Sequence, residues 1–257
     1  MTTPELRRDD PKVIASWAMF DWANSAFTTL VVTFIYSYYF TQVIAPDDVT
    51  GTTLWSRAVG ASALLVALLS PITGAMADRG GRRRRYLAIA TVACVASTTA
   101  LAFVGPGMAG AIPLALILFA IGNLAFEMGM VFYNAFLPSI ASPERIGRVS
   151  GYGWGLGYVG GLLCLVVALV GFVRPETPWF GISTAQGFNV RATNLLVAAW
   201  FLVFSLPFFI FVREPPAAGV RPDIRAAFAE LAHTFREIRS YREVVMFLIA
   251  RLIYNDG

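Results

Sequence analysis

Long runs of apolar residues, separated by short polar segments, extend along most of the chain. An α-helix needs roughly 20 such residues to cross a hydrocarbon core about 30 Å thick, and six runs approach or exceed that length. The runs are 13–44, 54–77, 86–104, 112–140, 149–173 and 192–212. The first and fourth runs are longer than a span requires, which predicts tilted helices or helical extensions outside the bilayer. The pattern therefore predicts an all-α, polytopic membrane protein whose residues 13–212 form a six-helix bundle.

The overall composition leads to the same class of protein. Apolar residues make up 57% of the 257 residues, and charged residues only 14%. Soluble domains carry about 45–50% apolar and about 25% charged residues, so this chain lacks the polar side chains needed to cover a globular surface. Intrinsic disorder is also excluded, because it requires low hydrophobicity together with high net charge.

Basic residues are distributed unequally between the two sides of the predicted bundle. Sixteen of them lie before the first run or in the segments after the second, fourth and sixth runs, whereas Arg57, Arg174 and Arg191 lie on the opposite side. Because cytoplasmic loops carry the excess of Lys and Arg, residues 1–12 are predicted to be cytoplasmic and the protein to lie in the cell (inner) membrane. Short arginine clusters of this kind anchor loops to the bilayer, so no nucleic acid is expected as a partner.

The polar segment 213–242 carries a different pattern. Its apolar residues recur at alternating steps of four and three, with charged residues between them: Ile224, Phe228, Leu231, Phe235 and Ile238. This period is that of an amphipathic helix. We interpret the segment as a solvent-exposed cytoplasmic connector helix, and the alternative is a helix that binds the membrane interface.

Apolar character returns over residues 243–257, which are too few to cross a bilayer. A chain end inside the hydrocarbon would leave a carboxylate and unpaired carbonyl groups without water. We therefore expect this segment to be the truncated start of a second bundle, cut inside a seventh transmembrane helix. A C-terminal six-helix half is accordingly expected in the complete protein. The alternative is a six-helix half-transporter that pairs with a copy of itself.

The segment between the second and third runs contains a compact motif of small, acidic and basic residues. Gly74 and Asp78 lie four residues apart and so share one helix face, where the missing side chain allows another helix to approach. Gly81 permits a tight turn, and the neighbouring arginines hold the loop against an anionic leaflet. Those arginines are Arg79, Arg82 and Arg83. We interpret the motif as a conformational or gating element, and the alternative is an ordinary cytoplasmic loop with turn glycines.

The string from Gly74 to Arg84 resembles the G-x-x-x-D-R-x-G-R-R signature of the major facilitator superfamily at every defined position. Three further segments resemble the branch that contains the autophagy-linked vacuolar amino-acid effluxers and their bacterial relatives. They are WAMFDWANSAF (17–27), GYGWGLGYVGG (151–161) and RLIYNDG (251–257). The resemblance covers nearly the whole chain, but only the N-terminal half of a family member. It implies a fold of twelve helices in two similar bundles, and the export of small solutes such as amino acids.

Polar and ionisable side chains interrupt the first and fourth apolar runs and the last segment. A charge at the bilayer centre costs about 2.5–3.5 kcal/mol on insertion scales, so a charged residue at that depth indicates a functional or structural role. In the first run, Asp21 begins a stripe that Asn24, Ser25 and Thr28 continue at helical spacing. Further candidates are Asn123, Glu127 and Asn134 in the fourth run, and Arg251 and Asp256 in the last segment. Stripes of this kind line water-accessible paths in transporters.

The two acidic residues at membrane depth are the central candidates for solute or ion binding. We interpret Asp21 and Glu127 as carboxylates that bind a cation, a proton or an amine. Arg251 is a candidate partner for one of them or for a substrate carboxylate. The structural alternative is a permanent buried ion pair, and for the asparagines it is polar contact between helices.

The sequence lacks the usual catalytic and metal-binding motifs. Cys94 and Cys164 lie inside apolar runs and His233 is the single histidine, so neither a disulfide framework nor a metal site is expected. His-Glu-x-x-His, Gly-x-Ser-x-Gly and the phosphate-binding Gly-x-x-x-x-Gly-Lys-Ser/Thr loop are absent, so we expect no enzyme, no cofactor and no ATP drive within this chain. The interpretation is a secondary active exporter of a small solute, with a proton or another ion as a further candidate ligand. The alternative is a non-transporting membrane sensor or scaffold with the same fold.

Overall fold

The computed structural model of the protein describes residues 8–79 and 82–214, together with 243, 245–247 and 250, and for residues 75–79 it describes the backbone alone. The predicted connector beyond residue 214 and most of the predicted seventh helix lie outside these residues. All regular structure in the described part of the chain is helical. Six long helices follow one another: Pro11–Ile44 (α1), Asp48–Arg79 (α2), Arg83–Leu101 (α3), Ala111–Asn134 (α4), Ile146–Ala168 (α5) and Thr193–Phe211 (α6).

α1 is continuous but changes its winding along its length. It begins after Asp10, whose carboxylate accepts the backbone N–H of Lys12 at 2.8 Å, and Pro11 occupies the first turn, where no hydrogen-bonded N–H is needed. α-helical and π-helical stretches then alternate: Pro11–Ala26 (α), Phe27–Phe34 (π), Tyr36–Tyr39 (α) and Phe40–Ile44 (π). A π-helix bonds each N–H to the carbonyl five residues earlier, so it places more residues in each turn than an α-helix does.

Shorter elements extend or connect the long helices. A single turn follows α4, a π-helical stretch extends α5, and three short turns precede α6: Leu137–Ile140, Leu169–Val173, Trp179–Gly181, Ala185–Gly187 and Phe188–Arg191. The connector before α6 contains two non-glycine residues with positive φ, Phe180 at 60° and Gln186 at 53°. Such backbone is uncommon for residues with a side chain and needs support from its surroundings. Tyr39 supplies part of it, because its hydroxyl donates to the Gln186 carbonyl at 3.1 Å.

The fold class is the predicted one. Five of the six long helices are long and apolar enough to cross a bilayer, judged by length and composition. α3 is the exception, because its 19 residues begin with three arginines that lower its mean hydropathy. It nevertheless coincides with the third apolar run of the sequence, and each of the other helices coincides with one run.

α1 packs against both α5 and α6. α3 packs against α4 and α6, and α2 packs against α4 and the last part of α1. Trp17 of α1 stacks on Tyr133 of α4 with ring centroids 4.5 Å apart. Trp17 Nε1 donates to the Tyr133 carbonyl at 3.3 Å, and the Tyr133 hydroxyl donates to the Trp17 carbonyl at 3.1 Å. These reciprocal contacts fix α4 against α1.

Glycines on one face of α5 allow this helix to lie directly on α1. A Cβ atom added at Gly153 would come within 2.7 Å of the Trp17 ring, and one added at Gly160 would lie 2.5 Å from the Trp22 carbonyl oxygen. A Cβ atom added at Gly155, on another face, would meet nothing within 4 Å. The contact between the two helices therefore depends on the missing side chains of the packed glycines.

Candidate functional site

A cavity of about 330 Å³ lies between α1, α4 and α5. Its wall combines one carboxylate with amide, hydroxyl, thioether and aromatic groups. The lining residues are Asp21, Asn24, Ser25, Thr28 and Thr29 of α1, Phe126 and Met130 of α4, and Trp154, Gly157 and Tyr158 of α5. All four members of the first polar stripe predicted from the sequence line this cavity.

Asp21 supplies the carboxylate of the wall, and the residue is 7% exposed. α5 approaches it closely because Gly157 has no side chain: a Cβ atom there would lie 3.5 Å from Asp21 Cγ and 2.8 Å from Ser25 Oγ. No basic side chain in the described part of the chain forms an ion pair with Asp21. A buried carboxylate without a counter-charge favours a ligand that is cationic or donates a proton.

Three other polar side chains of the α1 wall, those of Asn24, Ser25 and Thr28, form hydrogen bonds. Asn24 Nδ2 donates to Met130 Sδ at 3.3 Å, which joins α1 to α4 beside the cavity. Ser25 Oγ donates to the Asp21 carbonyl at 2.8 Å, and Thr28 Oγ1 donates to the Ser25 carbonyl at 3.1 Å. Because each hydroxyl gives its proton to the backbone, its lone pairs remain available as acceptors for a ligand.

Aromatic side chains form the α5 side of the cavity and are not among the residues predicted from the sequence. Trp154 and Tyr158 are 62% and 66% exposed and lie edge to face, with ring centroids 6.0 Å apart. Their spacing of four residues places them on one helix face, next to the face that carries Gly153 and Gly157. This alternation of glycine and aromatic residues is the sequence signal that identifies them, once the glycines are known to pack on α1.

The second predicted stripe lies apart from the cavity. Asn123 is buried, and its Nδ2 donates to Ser62 Oγ at 2.9 Å, so it joins α4 to α2. Glu127 is half-buried in α4 and is not part of the cavity lining, and Asn134 is exposed at the end of that helix. The structure thus brings the two α1 candidates together and leaves the three α4 candidates outside this cavity.

The motif from Gly74 to Arg83, which spans the end of α2 and the start of α3, is described in part. A Cβ atom added at Gly74 would meet nothing within 4 Å, so the close approach of another helix expected there is not made by the described residues. Arg82 is exposed. The remaining candidates lie outside the described residues, namely the side chains of Asp78 and Arg79 and the whole of Gly81, Arg251 and Asp256.

Glu214, which is not among the predicted residues, joins the end of α6 to the start of α3. Its two carboxylate oxygens accept the backbone N–H groups of Arg83 and Arg84, each at 2.8 Å. Arg83 Nη1 donates to the Ala135 carbonyl at 2.8 Å, and the Arg84 guanidinium donates to the Phe209 carbonyl. A carboxylate at a helix N-terminus and guanidinium groups near helix C-termini both suit the helix dipoles. The sequence signal is an acidic residue two positions after an apolar run, but it does not reveal the partner helix.

Known proteins similar to the chain identify its family. The profile of the family described as "Vacuole effluxer Atg22 like" matches residues 47–257. The chain belongs to the Atg22-like family. The "Uncharacterized MFS-type transporter YxiO" of Bacillus subtilis (strain 168) is 30% identical to this Atg22-like chain over 248 residues, which cover 94% of the chain and 56% of YxiO. The "Autophagy-related protein 22-1" of Penicillium rubens is 28% identical over 123 residues, which cover 43% of the chain and 19% of that protein.

Solved structures share the fold of this Atg22-like chain. The inward-open structure of the xylose transporter XylE from E. coli matches with a TM-score of 0.59 at 17% sequence identity, over 92% of this chain and 54% of that chain. Identity this low shows the fold alone, which is that of the major facilitator superfamily. The chain spans about half the length of YxiO and of XylE, and its six helices form the N-terminal half of the fold. The protein is an integral, multi-pass membrane protein, and the expected branch of the superfamily is confirmed.

Proposed function

We propose that the Atg22-like chain supplies one half of a secondary active transporter, and that the cavity beside Asp21 binds the transported solute. The proposal rests on one observation. A buried carboxylate lies in the wall of a cavity of about 330 Å³ and has no ion-pair partner among the described residues. A polar side chain that only joins two helices forms a hydrogen bond to the neighbouring helix, as Asn123 does to Ser62. Asp21 instead borders a space large enough for a small molecule.

Transport proceeds in this proposal by alternating access. Three helices of this half form one wall of the cavity, and a second six-helix bundle completes it from the opposite side. The two bundles rock about the site, which is then open to one side of the membrane at a time. The motif at the junction of α2 and α3 is the proposed conformational element of this movement: Gly74, Asp78, Arg79, Gly81, Arg82 and Arg83.

The finer parts of the proposal rest on the relatives and on the sequence. The family description names an effluxer, which supports export, and the resemblance to that branch supports small solutes such as amino acids. The excess of basic residues on one side supports a cell-membrane location with a cytoplasmic N-terminus. A proton or another ion is the proposed coupling partner, with Glu127, Arg251 and Asp256 as further candidate ligands.

The test uses the complete protein. A thermal-shift screen, one metabolite at a time, identifies a ligand, and the flux of that ligand is then measured in reconstituted lipid vesicles. Asp21→Asn removes the charge and keeps the side-chain volume. A charge-assisted contact is worth about 1.5–3 kcal/mol, so we expect the flux to fall by about tenfold or more.

Glu176→Gln is the matched control for this variant, because it removes a carboxylate from an exposed connector outside the cavity. We expect wild-type flux in the control. Wild-type flux in Asp21→Asn as well would remove Asp21 from the transport mechanism.

A further inference from the structure

Hydroxyl residues continue the polar stripe of α1 beyond the cavity. The residues Asp21, Ser25 and Thr28 are followed by Thr33, Ser37 and Thr41. The step from Thr28 to Thr33 spans five residues. In a regular α-helix, residues five apart point about 140° away from each other, so Thr33 would leave the face that carries Thr28.

The π-helical stretch Phe27–Phe34 keeps the stripe on one face. Because a π-helix places more residues in each turn, residues five apart lie closer to one face in it than in an α-helix, and Thr33 Oγ1 donates to the Thr28 carbonyl at 2.9 Å. Ser37 Oγ then donates to the Thr33 carbonyl at 2.7 Å. Together with the hydrogen bonds of Ser25 and Thr28, these contacts link each hydroxyl to the backbone carbonyl of the preceding member of the stripe, from Asp21 to Ser37.

Burial along α1 follows the same winding. Along the chain, pairs of buried residues are separated by the hydroxyl residues of the stripe. The buried pairs are Leu30 and Val31, Ile35 and Tyr36, and Tyr39 and Phe40. Between these pairs Thr33 is exposed and Ser37 is half-buried. Thr33 and Ser37 therefore lie on the side of α1 that is turned away from the core of the bundle, whereas Asp21, Ser25 and Thr28 form part of the cavity wall.

The stripe offers hydrogen-bond acceptors. Each of four hydroxyls gives its single proton to a carbonyl oxygen of α1: Ser25, Thr28, Thr33 and Ser37. A hydroxyl in this state accepts a hydrogen bond from a ligand but has no proton to donate, and an ionised carboxylate also only accepts. No lysine, arginine or histidine lies between residues 21 and 41, and the guanidinium of Arg191, which reaches the far end of α1, interacts with Tyr39 on the buried side of that helix. Such a surface attracts a cation with N–H groups and disfavours an anion.

We infer that Asp21, Ser25, Thr28, Thr33 and Ser37 form an acceptor track, along which a solute bearing a protonated amine moves between the cavity and the far end of α1. The inference rests on the proposed function, because the track needs a solute-binding cavity at one end. The aromatic residues on the α5 side of that cavity suit the same class of solute, since aromatic faces attract ammonium groups. The π-helical winding is then a functional part of α1, because it holds the acceptors in line.

The test measures which charged reagents reach the acceptor track in the complete protein. Thr33 and Ser37 are replaced one at a time by cysteine, in a background whose other cysteines are replaced by alanine. The probes are two methanethiosulfonate reagents of similar size, one with a trimethylammonium group and one with a sulfonate group. After correction for their rates with a free thiol, we expect the cationic reagent to react about tenfold faster at both positions. Adding Asp21→Asn should reduce this preference.

Two control positions separate the track from ordinary helix surfaces. Thr99→Cys is the matched control, because Thr99 Oγ1 donates to the Val95 carbonyl at 2.7 Å, as a track hydroxyl does, but lies in α3. We expect no preference for the cationic reagent there. Leu30→Cys, at a buried position of α1, should not react with either reagent.

The outcomes distinguish the acceptor track from the proposed function. Equal rates of the two reagents at Thr33→Cys and Ser37→Cys, or no reaction at either, would overturn the track, and the hydroxyls would then only satisfy carbonyl groups of their own helix. Loss of flux in Asp21→Asn together with equal reagent rates would leave the solute cavity standing without the track. Wild-type flux in Asp21→Asn would contradict both the solute-binding role of the cavity and the acceptor track that begins there.

Discussion

Replacing Gly160 by alanine tests the contact between α5 and α1. The added methyl group would lie 2.5 Å from the Trp22 carbonyl oxygen and 2.9 Å from Trp22 Cα. Both atoms belong to the backbone, so neither can move aside unless α1 itself shifts. Overpacking of this kind costs about 1–3 kcal/mol, and we expect the free energy of unfolding to fall by that amount relative to a matched alanine variant.

Gly155→Ala is that matched variant, because it lies in the same helix and an added Cβ atom meets nothing within 4 Å. Both substitutions gain helix propensity of about 0.5–1 kcal/mol, so the difference between them isolates the cost of overpacking. Gly155→Ala itself should be as stable as the wild type or slightly more stable.

Thermal unfolding of the complete protein in detergent, followed by tryptophan fluorescence, measures this difference. A change of 1 kcal/mol shifts the unfolding temperature by about 2–4 °C for chains of 150–250 residues and by less for a longer chain, so Gly160→Ala of the complete protein should unfold about 1–5 °C below Gly155→Ala. Equal unfolding temperatures would show that α1 and α5 are not in backbone contact at this glycine.

Three further predictions concern stability. Tyr133→Phe removes the hydroxyl that donates to the Trp17 carbonyl and should lower the free energy of unfolding by about 1 kcal/mol in chemical denaturation. Glu214→Ala leaves two N–H groups of α3 uncapped and should cost about 0.5–2 kcal/mol in the same assay, whereas full stability would contradict the cap. Hydrogen bonds from Ser142 and then the charge of Arg145 lower the pKa of Asp9. The stability that Asp9 contributes is therefore complete above its unfolded pKa of about 4 and is lost as the pH falls through the lower folded value, so Asp9→Asn should flatten the acid side of the unfolding-temperature profile.

The helices and the first candidate carboxylate could be predicted from the sequence because both signals are local. An apolar run long enough to span a bilayer has few alternatives to a helix. A carboxylate such as Asp21 inside that run raises the free energy of membrane insertion, and only a polar or water-accessible environment offsets this cost. The winding of α1 carries no such signal, since α and π turns differ in hydrogen-bond register while containing the same residue types.

The roles of the other polar residues depend on contacts between helices, which the sequence does not encode locally. Asn123 and Asn24 have the same side chain at similar depth in apolar runs, yet Asn123 bonds to Ser62 in the α2–α4 contact and Asn24 lines the cavity. Glu127 carries the same insertion cost as Asp21 but lies outside that cavity. In each case, the role of the polar side chain depends on which helix packs against the helix face that carries it.

The Glu214 carboxylate has a mechanical consequence for the whole bundle. It lies three residues beyond the end of α6 and holds two N–H groups at the start of α3. A force on the chain that follows would therefore load α3 before it could unwind α6, and Arg83 would carry part of that load to the end of α4. Torque applied at residue 214 would thus reach α3 and α4 as well as α6, and α4 bears Phe126 and Met130 of the cavity wall.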